Sequence, residues 1–279
     1  METIEARSLL TATGGYLGDF THSLNPYQGC VFGCSYCYVA SAPVAARDPR
    51  PWGHYVKAKT NAPEVLAREL ARHPPDTLRI FMASATDPYQ PPERRLGITR
   101  RLLEALVARP PALLVVQTRA PLVQRDADLL VALGDRVRVS MTIETDQEAI
   151  RRQITPHAPP LAERRAAIAA LRAAGIPTQV AVAPLLPHDP AAFAAWLAGC
   201  CDYVVIDTFV AGDGAGGRRT ARSAIPALYA GAGWADWRAV DPAPLQAALA
   251  AHFAADHILW SQAGFNHFAR RAAERVASL

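Results

Sequence analysis

Hydrophobic positions along the chain fall into two alternating rhythms. Short apolar runs at Leu78–Ala83, Leu113–Gln117, Val137–Ile143, Thr178–Ala183 and Tyr203–Ile206 read as strands. Leu113–Gln117 is apolar residue after residue, the pattern of a strand covered on both faces. A further strand is placed at 23–29. Between these runs the apolar residues take helical spacing. One helix is expected from Asn61, as its cap, to about His73, with Pro63 in its first turn, Glu64 facing the positive end of the dipole and Pro74-Pro75 ending it. A second covers 91–107, with Leu96, Leu102, Leu103 and Leu106 on one face. Others are expected over 127–133, stopped by Gly134, over 160–174, followed by Gly175 and Pro177, and over 190–198. Six β units alternating with helices predict an α/β fold with a parallel sheet: a partial (β/α)6 barrel, a complete eight-unit barrel or a doubly wound sheet. In a parallel barrel the chemistry belongs at the C-terminal ends of the strands.

The alternation stops at both ends of the chain. Residues 1–22 read as an N-terminal leader outside the barrel, with a turn at Thr11-Ala-Thr-Gly-Gly15. Residues 207–279 read as a C-terminal extension that closes one side of the barrel. It holds a glycine-rich segment expected to be flexible, Gly212–Gly217, then Arg218, Arg219 and Arg222, Trp234, Trp237 and Trp260, and a helix over 243–253. The organisation is thus 1–22, 23–206 and 207–279. With 279 residues, 51% hydrophobic and 19% charged, the chain can bury one substantial α/β core. A net charge of +4 is too mild to argue for nucleic-acid binding by itself. No apolar run reaches about 18 residues, so no membrane partner is expected. Met-Glu-Thr-Ile-Glu-Ala-Arg is not a signal peptide. Three clustered and two adjacent cysteines do not form a secreted disulfide framework, and a cytoplasmic location fits.

The clustered cysteines change the picture most. Cys30, Cys34 and Cys37 are spaced C-x3-C-x2-C, close enough to converge on one soft metal centre, and Gly29 and Gly33 let the backbone fold tightly around it. A 4Fe-4S cluster usually takes four cysteines, so three would leave one iron open. A structural zinc would need a fourth ligand, for which His22 and His54 are candidates. Past the second strand, Ser84, Thr86 and Asp87 could bind polar parts of a ligand, or form an ordinary Asp-Pro turn. Asp207 ends the sixth strand and could orient a substrate hydroxyl or amine, or cap a turn. Cys200 and Cys201 precede that strand and read as buried small hydrophobes. The three arginines could grip phosphate or be solvated surface, and the tryptophans could stack a base or pack in the core.

The cysteine spacing, with Tyr36 before the last cysteine, resembles the signature of the radical S-adenosylmethionine (radical SAM) superfamily. Asn25-Pro-Tyr-Gln-Gly-Cys30, Lys59-Thr-Asn-Ala-Pro-Glu64, Thr86-Asp-Pro-Tyr-Gln-Pro91, Gln117-Thr-Arg-Ala-Pro-Leu-Val-Gln-Arg-Asp126 and Arg138-Val-Ser-Met-Thr142 follow in an order similar to its spore photoproduct lyase-like branch, over roughly residues 23–206. The resemblance implies a partial (β/α)6 TIM-type barrel. It also implies a 4Fe-4S cluster on Cys30, Cys34 and Cys37, with S-adenosyl-L-methionine on the open iron. Reductive cleavage of the sulfonium then gives a 5′-deoxyadenosyl radical that abstracts hydrogen from a substrate. In that branch the segment matching Ser84–Asp87 holds the methionyl end of the cofactor. Arg119 stands where a lysine is usual, and Ser140 matches a serine near the cofactor. Tyr36 and Tyr38 match aromatics flanking the last cluster cysteine, one of them implicated in a hydrogen-atom relay. Tyr36, Tyr38 and Asp207 are the catalytic candidates. Ser84 stands where the lyase has a hydrogen-donating cysteine, and an O–H bond is too strong for that task. The expected substrate is therefore a nucleoside, nucleotide or nucleic-acid base, or a nucleoside-containing natural product under tailoring, rather than a thymine dimer. The expected electron donor is a flavodoxin or ferredoxin, and nucleic acid stays open as a partner. The alternative from another class is a non-catalytic iron–sulfur or zinc protein.

Overall fold

The computed structural model describes residues 1–277. Its main sheet has eight strands. Six run parallel in chain order: His22–Leu24, Arg79–Met82, Leu113–Thr118, Val137–Thr142, Thr178–Val182 and Tyr203–Ile206. Helices return the chain between most of these strands. The result is the α/β partial barrel that the alternation and the resemblance predicted. Its middle strands are covered on both faces: every residue of Thr178–Val182 is buried, and Val116, Val139, Met141, Val180 and Ile206 meet helix residues Leu66, Leu102, Leu103 and Ile168 in one core. Burying a side chain of this size stabilises the fold by about 1.5–3 kcal/mol.

Several elements depart from the pattern read off the sequence. The strand expected over 23–29 is two. His22–Leu24 belongs to the barrel, and Tyr27–Gly29 pairs antiparallel with Val56–Lys59 in a separate three-stranded sheet that also holds Glu2–Ile4. Asn25-Pro26 is the break, since a proline has no N–H to give to a ladder. Asn61 precedes the helix Ala62–Leu70 but does not cap it. Its amide instead pairs with the Ala6 backbone, accepting from N at 2.8 Å and donating to O at 3.0 Å. The helix expected over 91–107 breaks at Gly97, which takes φ +60° between Glu93–Leu96 and Ile98–Ala108. The helix Glu148–Ile154 was not foreseen.

The two ends differ most from expectation. The leader does not stand apart: Leu10–Ala12 adds an antiparallel edge strand beside His22–Leu24. The tail adds a seventh parallel strand, Ile258–Trp260, beside Tyr203–Ile206. Its expected helix is shorter, Ala243–Leu249, and the helix His267–Ala277 follows. Leader and tail then meet. Asn266 donates to Tyr16 O at 2.7 Å and accepts from Asp19 N at 3.1 Å, Gln262 donates to Gly15 O at 2.8 Å, and Arg270 pairs with Asp19 at 3.3 Å. These contacts bridge the gap between the two edges of the open sheet. Trp237 is buried against Phe209 and Trp234 packs on Tyr229, so these two tryptophans serve the core of the extension.

Candidate active site

A cavity of about 460 Å3 opens at the C-terminal ends of the barrel strands. Cys30, Cys34 and Cys37 line one wall of it, all as free thiols. The backbone that carries them is built for close approach. Gly29 has φ +82°, and a Cβ there would lie 2.5 Å from Tyr55 O; Gly33 has φ +53°, and a Cβ there would lie 3.0 Å from Gly53 Cα. Neither position accepts a side chain without strain. The loop is pinned from outside: Gly29 O accepts from Thr86 Oγ1 at 2.6 Å, Val31 N donates to Gln90 Oε1 at 3.1 Å, and Ser35 N donates to Ile154 O at 3.1 Å. Burial, then the neighbouring Cys34, pushes the Cys37 thiol up to about 11, and burial, then Asp87, pushes the Cys30 thiol higher still. Such thiols stay protonated at neutral pH unless a metal takes the place of the proton.

The donor set fits an iron–sulfur cluster better than a zinc ion. Neither zinc candidate lines the cavity: His22 packs against His73 at 5.2 Å, and His54 is absent from the walls. Among the described residues no three His, Cys, Asp or Glu side chains close on one point as the ligands of a single ion would. The thiolates of a cube each bind a different iron and need not.

Beside the thiols stands a polar wall. Ser84, Thr86, Asp87 and Arg119 all line the cavity, but their hydrogen bonds divide the work. Ser84 follows Ala83, which holds a left-handed φ of +78°; its Oγ accepts from Asn25 Nδ2 at 3.2 Å and its carbonyl accepts from the Tyr38 hydroxyl. The Thr86 hydroxyl is taken up by Gly29 O of the cysteine loop. Asp87 is buried and accepts three bonds, from Tyr89 N, Thr118 Oγ1 and Arg119 N, at 2.8–2.9 Å. Burial still raises its affinity for a proton, partly offset by Arg119 and these donors. One lone pair of Oδ2 remains for a ligand. Asp87 therefore also braces the end of the second barrel strand against the third.

Beneath Arg119 lies a buried charge network that the sequence did not announce. Glu144, 1% exposed, pairs with the fully buried Arg164 at 2.9 Å and lies 3.6 Å from Arg119. Tyr36 donates to Glu144 and accepts from Arg119 at 3.1 Å. Burial alone would raise the Glu144 pKa; Arg164 and Arg119 outweigh it and keep the carboxyl below its ordinary value. Arg119 is thus held by its partners while its Nε has none among the described residues, and Gln117 Oε1, also on the cavity wall, has none either. Both atoms are buried, so each is an unsatisfied polar group just behind the cavity wall.

Asp207 lines the cavity past the sixth barrel strand. It accepts from the Tyr16 hydroxyl and, at 2.8 Å, from Thr208 N. Burial pushes its pKa up to about 6, against the lowering effect of Tyr16. Gly212 makes room for it, since a Cβ there would lie 2.5 Å from Asp207 Oδ2. Tyr16 was missed because it lies in the leader. Ser140 is a correction: it is fully buried, accepts from Gln179 Nε2 at 2.9 Å and does not line the cavity. Two residues further along the strand on the same face, Thr142 reaches the wall and accepts from Gln117 Nε2 at 2.6 Å. Cys200 and Cys201 are buried away from the cavity.

Comparisons with known proteins agree with this layout. An uncharacterised protein of Methanocaldococcus jannaschii is 29% identical over 164 residues, 59% of this chain and 60% of that one. An uncharacterised protein of Mycobacterium tuberculosis is 32% identical over 174 residues, 61% of this chain and 51% of that one. The match thus spans a little over half the length of these relatives. Among solved structures, spore photoproduct lyase complexed with dinucleoside spore photoproduct has a TM-score of 0.58 at 17% identity, covering 74% of this chain and 60% of that one. A variant of that lyase with bound AdoMet and dinucleoside spore photoproduct also scores 0.58, at 16% identity and the same coverage. These likenesses establish a shared fold. The model of the Radical SAM superfamily matches residues 24–193, which run from the first barrel strand into the helix before the sixth and hold all three clustered cysteines. The chain belongs to the radical SAM superfamily.

Proposed function

We propose that the protein is a radical SAM enzyme that binds a 4Fe-4S cluster through Cys30, Cys34 and Cys37 and abstracts a hydrogen atom from a nucleoside-type substrate. The observation that carries this reading is the sharing of one cavity by three free thiols and the polar residues Asp87, Gln117 and Arg119, two of which keep an unpartnered polar atom. When bound, the cluster and S-adenosyl-L-methionine supply the reducing electron and the hydrogen-abstracting carbon radical. The chain does the rest. Asp87 Oδ2 would accept from the ammonium of the cofactor's methionyl end, the Arg119 guanidinium would pair with its carboxylate, and Ser84 Oγ would add a hydrogen bond. Tyr36 and Glu144 fix the Arg119 fork, so little reorganisation is needed on binding. Asp207 and Tyr16 hold a hydroxyl or amine of the substrate on the far wall, and Tyr38 borders the entrance. Ser84 is no hydrogen-atom donor, which favours modification of a nucleoside, or of a nucleoside-containing natural product, over dimer repair. The electron comes from a flavodoxin or ferredoxin in a reducing cytoplasm.

The substrate class rests on the fold shared with a lyase solved with a dinucleoside product. It is tested by anaerobic incubation of the reconstituted protein with reductant, S-adenosyl-L-methionine and deuterated nucleosides or nucleotides. Deuterium should enter 5′-deoxyadenosine from at least one of them. Release of 5′-deoxyadenosine without any deuterium transfer across the series would overturn the substrate class and leave the chemistry standing.

A further inference from the structure

The glycine-rich segment after the sixth strand is not the flexible loop its composition predicts. Asp213, buried at its head, accepts from four backbone amides: Ala215 N at 2.7 Å, Gly217 N at 3.0 Å, Arg219 N at 2.9 Å and Thr220 N at 3.1 Å. One carboxylate thus closes residues 213–220 into a fixed turn. Gly214, at φ +65°, is what admits the arginine: a Cβ there would lie 3.1 Å from Arg219 Nη1. That guanidinium donates to Asp213 O at 2.8 Å and lines the cavity.

Arg219 differs from the other charged groups of the cavity wall. Asp87 accepts three bonds, Arg119 sits on Glu144 and Tyr36, Asp207 takes Tyr16, and Asp213 is saturated by its own loop. Among the described residues Arg219 has no carboxylate within 4.0 Å, and its side chain is exposed at the mouth. Tyr38 lines the same cavity and is 44% exposed. Trp52 lines the same cavity. A cation with free donors, held in place beside open aromatic faces, suits a planar base that carries an anionic group.

We propose that Arg219 is a specificity residue that binds the phosphate of the substrate, so that the enzyme takes nucleotides in preference to nucleosides. The inference rests on the proposed function and sharpens it. The guanidinium offers the phosphate two donors while its third nitrogen group stays on Asp213 O, and Tyr38 and Trp52 flank the base.

The test compares Arg219→Gln with Arg218→Gln, an exposed neighbour that does not line the cavity. Binding of the four nucleoside 5′-monophosphates and the four matching nucleosides is followed by tryptophan fluorescence in the reconstituted protein with S-adenosyl-L-methionine. The wild type should bind at least one monophosphate about tenfold or more tighter than its nucleoside, as expected for a charge-assisted pair. The preference should shrink as salt rises. Arg219→Gln should remove the preference and leave nucleoside affinity unchanged, while Arg218→Gln keeps it. Equal binding of monophosphate and nucleoside by the wild type, no binding of either, or equal losses in both variants would overturn the assignment. Release of 5′-deoxyadenosine without added substrate is measured alongside. If it persists while the phosphate preference is missing, the Arg219 assignment fails alone; if it is missing too, the proposed function fails with it.

Discussion

Glu144 shows how much a single buried residue can carry. Its carboxylate neutralises Arg164, which is fully buried, and orients Tyr36 and Arg119 at the cavity wall. Glu144→Gln leaves the Arg164 guanidinium buried without its counter-charge, which should cost about 3–5 kcal/mol in urea denaturation. A loss below about 1 kcal/mol would mean that the network does not hold the fold. Asp207 behaves differently. Its pKa in the fold is about 6, above the ordinary 3.8, so the native state binds the proton more tightly than the unfolded chain does. Ionising it therefore costs stability. The cost is complete above pH 6, falls as pH drops through 6 and is gone below about 4; by linkage it amounts to about 3 kcal/mol. Asp207→Asn should be more stable than the wild type above pH 6, with the difference vanishing toward pH 4. A pH-independent difference would contradict the buried, raised carboxyl.

At this scale the sequence was readable where chemistry repeats in a short span. Ser84, Thr86, Asp87 and Arg119 follow the ends of barrel strands, so counting strands located them on the wall, whereas Cys30, Cys34 and Cys37 follow a strand of the smaller sheet and were found by their spacing. Ser140 failed because a strand places residues of one face in successive layers, and nothing in Val-Ser-Met-Thr tells which layer meets the cavity. Glu144 and Arg164 are twenty residues apart, and Tyr16 and Asp207 are 191 apart. Such pairings depend on the closed barrel and leave no local signal.

Among the elements, the strongly periodic ones were legible. The runs at 113–117, 137–143, 178–183 and 203–206 are strands to within a residue, because runs of three or more consecutive buried residues rich in β-branched side chains have few other ways to be covered. Three-residue strands were not. Leu10–Ala12 and Ile258–Trp260 are too short for a pattern and form because a neighbouring edge offers its free backbone groups. The glycine-rich loop was misread for a related reason: composition predicts freedom, while the Asp213 carboxylate removes it. The meeting of leader and tail gives an element-level test. Asn266 is buried and its side chain bonds to the leader at Tyr16 O and Asp19 N. Asn266→Ala should lower stability by about 1–3 kcal/mol and speed hydrogen exchange at residues 15–20, with little change at 113–118. Uniform acceleration across the chain would show instead that the junction is not a separable unit.

For the whole molecule, the partial barrel brings one loop of thiols and the ends of its second to sixth parallel strands to a single cavity, and no helix among the described residues is long and apolar enough to cross a membrane. The leader, usually a dispensable part of a chain, supplies Tyr16 to that cavity, and the tail supplies the bridge that keeps it there. Everything proposed for the cavity depends on the three thiols holding a 4Fe-4S cluster able to open S-adenosyl-L-methionine. The most direct measurement is anaerobic reconstitution of the wild type and of Cys34→Ala. Iron and sulfide content, visible absorbance and release of 5′-deoxyadenosine after reduction are then read together. The wild type should carry about four irons and four sulfides and release 5′-deoxyadenosine, and Cys34→Ala should lose the absorbance and the product together. Retained absorbance in Cys34→Ala, or a fully loaded wild type that releases no 5′-deoxyadenosine, would contradict it.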